Sequence, residues 1–165
     1  GQGAIAAAVA KDLNVTALGG TGKRVDMAAG LGAKTVPITS HGESLRDKAL
    51  ALTPHGFDAI LETTASEWGI AEAFAIAAPG AVVALTGGGQ VPLTAWDVVD
   101  RELRIVGVRA GHHQEEALAL IASGKLSLQS TISGRFALEE AADAFAALAG
   151  EGAKDIGRFI IQIGE

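Results

Sequence analysis

The stretch Gly1-Gln2-Gly3-Ala4-Ile5-Ala6 decides the fold, because it has the pattern of a glycine-rich turn that opens a helix. Glycine in the first place permits a sharp bend, and glycine in the second place lets a diphosphate approach the backbone. A small third residue, here Ala6, allows the helix to pack closely against a strand. The apolar run over 7–10 then predicts a helix whose first N–H groups and positive dipole end face the anion.

The residues after this turn give it the setting of a nucleotide-binding unit. The pattern alone is not specific in a chain with 22 glycines among 165 residues, where an ordinary loop before a helix would share it. Here a short apolar strand over 15–18 and a polar turn over 19–22 follow, which together form the back half of a βαβ unit. Because such a turn normally lies directly after a central strand, we expect the chain to be part of a longer protein that supplies that strand.

Composition narrows the class of protein. The length fits one domain, and an apolar share of 48% with only 4% aromatic residues suits close packing of helices on a sheet. A net charge of −6 argues against nucleic acid and against an anionic membrane as partners. The chain has no cysteine, so it can form neither a disulfide nor a thiolate metal site. No apolar run reaches the roughly 20 residues of a membrane-spanning helix, and a cytoplasmic location is the default expectation, with a leader ahead of Gly1 left open.

Strand and helix patterns alternate along most of the chain. Apolar runs with the length of buried strands lie at 35–38, 57–63, 81–86 and 103–108. Patterns typical of helices lie at 23–31, 44–52, 70–77 and 113–123. The helix at 70–77 is expected to end at Pro79-Gly80, and 91–101 has a mixed character. The last forty residues predict an extended stretch at 131–136, a helix at 138–149 and a strand at 158–163.

This order of segments predicts an α/β fold. It is a Rossmann-type doubly wound parallel sheet with helices on both faces, whose central first strand is missing from the chain. In such a sheet the ligand binds at the carboxyl ends of the strands, where Gly1, Gly19 and Gly87 lie.

The order and spacing of eight segments resemble the C-terminal half of medium-chain dehydrogenases and reductases, the superfamily of zinc alcohol dehydrogenases and quinone oxidoreductases. The resemblance runs over essentially the whole chain. It implies a Rossmann-type cofactor-binding domain over 1–125 and a C-terminal segment over 126–165 that in relatives returns to the catalytic domain. The segments are GQGAIA at 1–6, LGA at 31–33, GFDAILETTAS at 56–66, PGAVVALTG at 79–87, LRIVGVRAG at 103–111, ASGKLSL at 122–128, FALEEAADAF at 136–145 and IGRFIIQI at 156–163.

The resemblance implies that Gly1, Gly3 and Ala6 bind the cofactor diphosphate, although relatives usually have glycine where Ala6 stands. In relatives that bind NAD, an aspartate at the end of the second strand hydrogen-bonds the ribose 2′-hydroxyl, and Gly19 has that position here. An uncharged turn with cations beside it suits a 2′-phosphate, so we predict NADP(H), with NAD less favoured. The residues predicted to form this pocket are Gly19, Gly20, Thr21, Lys23 and Arg24. Alternatively, the two cations are simply solvated at the start of a helix.

Four further residues are expected near the cofactor. Gly87, Gly88 and Val108 end the two strands that in relatives flank the nicotinamide, unless they form plain turns. Arg158 stands where relatives place a basic residue against the cofactor phosphates, unless it is a surface arginine on an edge strand.

The sequence identifies no catalytic residue and no metal site. Histidine and glutamate, the residue types of His112-His113 and Glu115-Glu116, can bind metals, but adjacent side chains do not lie on one face of a helix. The glutamates also favour the N-terminus of a helix, which explains them without a metal. Asp58 and Glu62 would lie about 13 Å apart on one strand, too far for glycoside chemistry. The resemblance implies strand-end packing and loop support for them instead. In relatives the catalytic zinc or the proton donor comes mostly from the N-terminal domain.

The leading functional hypothesis is the cofactor-binding half of an NADP(H)-dependent oxidoreductase acting on a carbonyl, an alcohol or a quinone or enone. This half alone is expected to bind cofactor without turnover, and relatives suggest a homodimer through the strand at 103–108. The alternative is a non-catalytic dinucleotide sensor or interaction module. A methyltransferase is disfavoured because no acidic residue lies near Gly19, and a short-chain dehydrogenase because the chain has no tyrosine.

Overall fold

All strand pairs that the structure describes are parallel. The structure is a computed structural model, and it describes residues 1–20, 22–38, 44–109 and 111–164. The strands are β1 (Thr16–Leu18), β2 (Lys34–Val36), β3 (Phe57–Glu62), β4 (Ala77–Leu85), β5 (Arg104–Gly107), β6 (Ile132–Ala137) and β7 (Arg158–Gln162). The helices are α1 (Gln2–Ala10), α2 (Lys23–Gly30), α3 (Leu45–Leu52), α4 (Glu67–Ala75), α5 (Ala95–Asp100), α6 (Gln114–Ala122) and α7 (Ala141–Ala149), with short 3-10 turns at Gln129–Thr131, Leu138–Glu140 and Glu151–Asp155.

The predicted α/β class is confirmed, with Rossmann-like parallel strands flanked by helices. The described strands pair as β1-β2, β3-β4-β5 and β6-β7. The first two groups have the neighbours that strands 2-3 and 4-5-6 have in a doubly wound sheet of order 3-2-1-4-5-6. In the described part of the chain, no helix is both long and apolar enough to cross a bilayer.

The chain divides into two compact units, Gly1–His41 with His113–Glu165, and Gly42–His112. In the first unit, small side chains allow close packing: Ala6 of α1, Ala28 of α2 and Ala33 are all buried. The register of β1 on β2 runs from Thr16 opposite Lys34 onward.

The second unit has a larger apolar core. Ile70 and Phe74, one turn apart on α4, are buried against Val83 of β4 and Leu103. Alanines complete this cluster, and α4 follows from its sequence because Ser66 accepts a hydrogen bond from the Gly69 N–H as an N-cap. Apolar burial of this kind is the main stabilising contribution to the unit.

One predicted boundary is wrong. The helix expected over 70–77 is α4, which begins at Glu67 and ends at Ala75, and Pro79-Gly80 does not end it but lies inside β4. The register of β3 on β4 shifts at this point, from Phe57 opposite Ala77 to Ala59 opposite Val82. This irregularity accommodates a proline, which cannot donate to a ladder, and a glycine with φ +78°.

The segment of mixed character contains α5. Thr94 and Asp97 form a capping box, in which each side chain accepts a hydrogen bond from the other residue's backbone N–H. Arg101, directly after α5, donates to the Phe74 carbonyl at 2.9 Å, and its own carbonyl accepts from the Gly80 N–H at 2.8 Å. These bonds fix the end of α5 to the start of β4.

Candidate functional site

The N-terminus of α1 has the features of an anion-binding turn. Gly1 is the N-cap and gives no side-chain hydrogen bond, so the first N–H groups of the helix have no side-chain acceptor in the described structure. A Cβ on Gly3 would meet no atom within 4 Å, which leaves this face open to a ligand. Ala6 is 5% exposed and packs into the unit, as the small third residue of the motif should.

Two arginines lie near this turn. Burial lowers the pKa of the Gly1 amino group, and the positive charges of Arg158 and Arg24 lower it further. The structure therefore brings together three residues that the sequence predicted to bind cofactor, from the starts of α1, α2 and β7.

Arg158 is the member of this group with an unsatisfied donor. Its Nε is buried and has no hydrogen-bond partner among the described residues. Buried polar groups are normally paired, so an unpaired one requires an explanation. Arg158 also lines a cavity of about 400 Å³ whose walls, including Ile121, Leu126 and Ile160, are mostly apolar.

The end of β1 is open and carries no acidic side chain. Gly19 and Gly20 have φ values of +91° and +77°, a conformation that glycine adopts without strain, and neither would bring a Cβ within 4 Å of another atom. The Gly19 N–H donates to Val36 of β2 at 3.0 Å. Thr21 lies outside the described residues.

Lys23 and Arg24 begin α2, and both are engaged by a distant part of the chain. The Lys23 N–H donates to Asp155 Oδ1 at 2.9 Å, and Arg24 Nε donates to the Ile156 carbonyl at 2.8 Å. We call residues 154–158 the Asp155 segment. Sequence reasoning missed Asp155, because 132 residues separate it from Lys23 and no local pattern marks the contact.

The second unit holds the other three predicted residues. The Val108 N–H donates to Leu85 at 2.8 Å, so the ends of β4 and β5 lie side by side. A Cβ on Gly87 would overlap Ala65, whereas one on Gly88 would meet nothing within 4 Å. Ala65 has φ +56°, a strained value for a residue with a side chain.

A buried carboxylate supports this corner of the second unit. Glu62 is 5% exposed at the end of β3, and it accepts hydrogen bonds from the Thr64 N–H at 2.6 Å, the Thr64 hydroxyl at 2.5 Å and the Ala65 N–H at 3.1 Å. Thr64 and Ser66 hydroxyls are 2.8 Å apart, and Ser66 in turn caps α4. We call residues 62–66 the Glu62 loop. Its geometry agrees with the loop support that the sequence indicated for Glu62.

The described residues offer no metal centre. No group of three or more histidine, aspartate or glutamate side chains in that part of the chain is arranged to hold an ion. His113 Nδ1 lies 3.7 Å from Glu116, which is paired at 2.5 Å with Lys11. The Lys11 hydrogen bond and charge lower the pKa of Glu116, so this carboxylate serves an ion pair.

Parallel α/β units with a glycine turn at a helix N-terminus define a dinucleotide-binding type of domain. The comparison with family models agrees: residues 1–123 match the model described as zinc-binding dehydrogenase. The chain belongs to this family, and the resemblance to the C-terminal cofactor-binding half of medium-chain dehydrogenases is confirmed. No curated protein sequence matches the chain.

Solved structures show the same fold. The 2R,3R-butanediol dehydrogenase of Bacillus subtilis has a TM-score of 0.84 at 19% identity, over 97% of this chain and 47% of its own. A short chain alcohol dehydrogenase of Escherichia coli CFT073, complexed with NADH, has a TM-score of 0.86 at 17% identity, over 99% and 50%. The galactitol-1-phosphate dehydrogenase of Escherichia coli has a TM-score of 0.75 at 27% identity, over 90% and 48%. The chain thus spans about half the length of these enzymes.

Proposed function

We propose that this chain is the nicotinamide-cofactor-binding half of an oxidoreductase and that it prefers NADP(H). The observation that carries the proposal is the start of α1, where a helix without a side-chain cap lies near Arg158, whose buried Nε has no partner in the described structure. The diphosphate of a dinucleotide would accept hydrogen bonds from the helix N–H groups, and the Arg158 guanidinium would contribute positive charge near it, because phosphates are most often bound by these two kinds of group.

The preference for NADP(H) is supported by the end of β1. NAD binders of this fold use an acidic side chain there, and Gly19 and Gly20 supply none. Arg24, in the first turn of α2 shortly after Gly20, adds positive charge to this part of the chain, which favours an additional phosphate. The remaining predicted contacts, Thr21, Lys23, Gly87, Gly88 and Val108, stay part of the proposal.

A nicotinamide dinucleotide supplies a hydride acceptor or donor at C4 of its ring when bound. This chain's own residues bind and orient it: Gly1 and Gly3 leave room for the diphosphate, and Arg158 neutralises its charge. We assign the substrate to the carbonyl, alcohol, quinone or enone classes, and zinc or the proton donor to another part of the full protein. The chain alone then binds cofactor without turnover.

The competing hypothesis is a non-catalytic dinucleotide sensor or interaction module, which would bind the same ligand. Activity of the full-length protein on a panel of alcohols, enones and quinones separates the two.

A cytoplasmic homodimer through β5 completes the proposal. Among the described strands β5 pairs only with β4, and its Ile105 and Val106 are 40% and 45% exposed, which suits pairing with a second copy. A monomer in sedimentation at high concentration would refute this assembly.

The test of cofactor binding is a fluorescence titration of the 165-residue chain with NADPH and with NADH. NADPH should bind more tightly, and equal affinities would refute the phosphate pocket.

Arg158→Met should weaken the binding of both dinucleotides about tenfold or more, as expected for a lost charge-assisted hydrogen bond. Arg135→Met, which removes an exposed arginine from β6 of the same sheet, is the matched control and should leave both affinities unchanged. No binding of either dinucleotide would refute the function.

A further inference from the structure

The start of α2 already holds an anion from its own chain. Its N-cap, Gly22, has no side chain to cap the helix, and Asp155 supplies the missing acceptor by taking the Lys23 N–H at 2.9 Å. A Cβ on Gly22 would overlap the Asp155 carboxylate, so glycine is required for this contact. The side chain of Asp155 is half-buried, while Gly22 and Lys23 are exposed.

The Asp155 segment is fixed in place by several bonds. The Ile156 carbonyl accepts from Arg24 Nε at 2.8 Å, and the Gly157 N–H donates to Ser133 Oγ at 2.9 Å. A Cβ on Gly157 would overlap the Thr131 carbonyl and come within 2.8 Å of Met27 Sδ. The backbone that carries Asp155 is therefore held against the start of α2.

We propose that Asp155 is a specificity-determining residue that limits the preference for NADP(H) over NAD(H). The inference rests on the proposed function, which gives the 2′-phosphate the corner formed by Gly19, Gly20 and the start of α2. The negatively charged Asp155 carboxylate already accepts a hydrogen bond from the Lys23 N–H at that corner. A phosphate bound there meets this charge, whereas the 2′-hydroxyl of NAD(H) does not, so the carboxylate selectively weakens the phosphorylated cofactor.

A purely structural role for Asp155 predicts something different. If Asp155 only caps α2, its removal lowers the stability of the chain and affects both dinucleotides alike. The ratio of the two affinities separates these roles, because only a charge that faces the 2′-position changes it. Salt provides a second criterion, since screening weakens the repulsion between charges that are not fully buried.

The experiment compares Asp155→Asn and Asp155→Ala with the unchanged chain in fluorescence titrations with NADPH and NADH. Both variants should raise the affinity for NADPH relative to NADH, by about tenfold at low salt and by less at high salt. Asp26→Asn is the control, because it removes one negative charge from an exposed position in the first turn of the same helix. It should change the ratio much less.

The outcomes distinguish this inference from the function on which it rests. Binding of both dinucleotides with a ratio that neither Asp155 variant changes would overturn the role of Asp155 alone. A ratio that Asp26→Asn changes equally would also overturn it, because general charge would then explain the effect. Failure of every folded variant, and of the unchanged chain, to bind either dinucleotide would overturn the proposed function and this inference together.

Discussion

Glu62 and Asp155 are both carboxylates that accept backbone N–H groups, yet the two are built differently. Glu62 is 5% exposed and takes all its donors from residues two or three positions further along the chain. Asp155 is half-buried and takes its donor from Lys23, 132 residues away. The Glu62 loop is thus a local, buried structure, whereas the Asp155 segment is a long-range contact at an accessible corner. Burial suits a structural role, and accessibility suits a role in ligand selection.

The largest loss of stability is expected for Glu62→Ala. The change leaves the Thr64 and Ala65 N–H groups without their acceptor, at a cost of about 3 kcal/mol in the free energy of unfolding. Chemical denaturation measures it. Asp58→Ala, at an exposed position of the same strand, is the control and should cost less than about 0.5 kcal/mol. Equal costs at the two positions would mean that the buried network contributes little.

A smaller loss of stability is expected when Gly87 is replaced. Gly87→Ala places a Cβ against Ala65 and should lower the free energy of unfolding by about 2 kcal/mol. Gly88→Ala, whose Cβ would meet nothing within 4 Å, should cost less than about 0.5 kcal/mol.

The double variant Ala65→Gly with Gly87→Ala sharpens this result. Removing the Ala65 Cβ eliminates the overlap and also relieves the strain of its φ of +56°. The cost of Gly87→Ala should therefore largely disappear in the double-mutant cycle. A cost that stays the same with glycine at 65 would show that Ala65 does not restrict the chain at Gly87.

The effect of Asp155→Asn on stability should be small, less than about 1 kcal/mol, because one partly exposed hydrogen bond is replaced by a weaker one. Thermal and chemical denaturation check it. A loss as large as that of Glu62→Ala would remove the contrast between the two regions and favour a structural role for Asp155.

The smallest expected effect concerns Asp97, which is fully exposed. Hydrogen bonds from the side chain and then the backbone of Thr94 lower its pKa. A lowered folded-state pKa means that the capping box stabilises α5 above the ordinary pKa of aspartate and loses this contribution as the pH falls through the lowered value. Thr94→Ala should raise the pKa of Asp97 toward its ordinary value, as measured by NMR titration of the carboxyl carbon. An unchanged pKa would contradict the capping box.

The sequence was enough to predict structure where one signal dominated. Apolar runs predicted β3 and β5 to within about a residue at their starts, because burial on a sheet selects such runs. Pro79-Gly80 was misleading, since a register shift in β4 accommodates residues that normally end an element. The capping signals of Ser66 and Thr94 were present in the sequence and would have fixed the starts of α4 and α5.

The candidate site was predictable only in part. The glycine turns at 1–3 and 19–20 could be predicted, because a tight turn requires glycine at particular positions and the spacing of glycines in the sequence shows where these are. The contact between Asp155 and Lys23 depends instead on how the last forty residues return to α2, and no spacing encodes a pairing across 132 residues. Arg158 was predicted from the resemblance, but its unpaired Nε is visible only in the structure.

An NMR titration with NADPH tests the central claim most directly, that the start of α1 binds the diphosphate of a nicotinamide dinucleotide. In ¹H–¹⁵N spectra of the labelled chain, the amide signals of Gln2, Gly3 and Ala4 should shift most, together with those of Gly19 and Gly20. Saturating NADPH that moves other amides and leaves residues 2–4 unchanged would contradict the account.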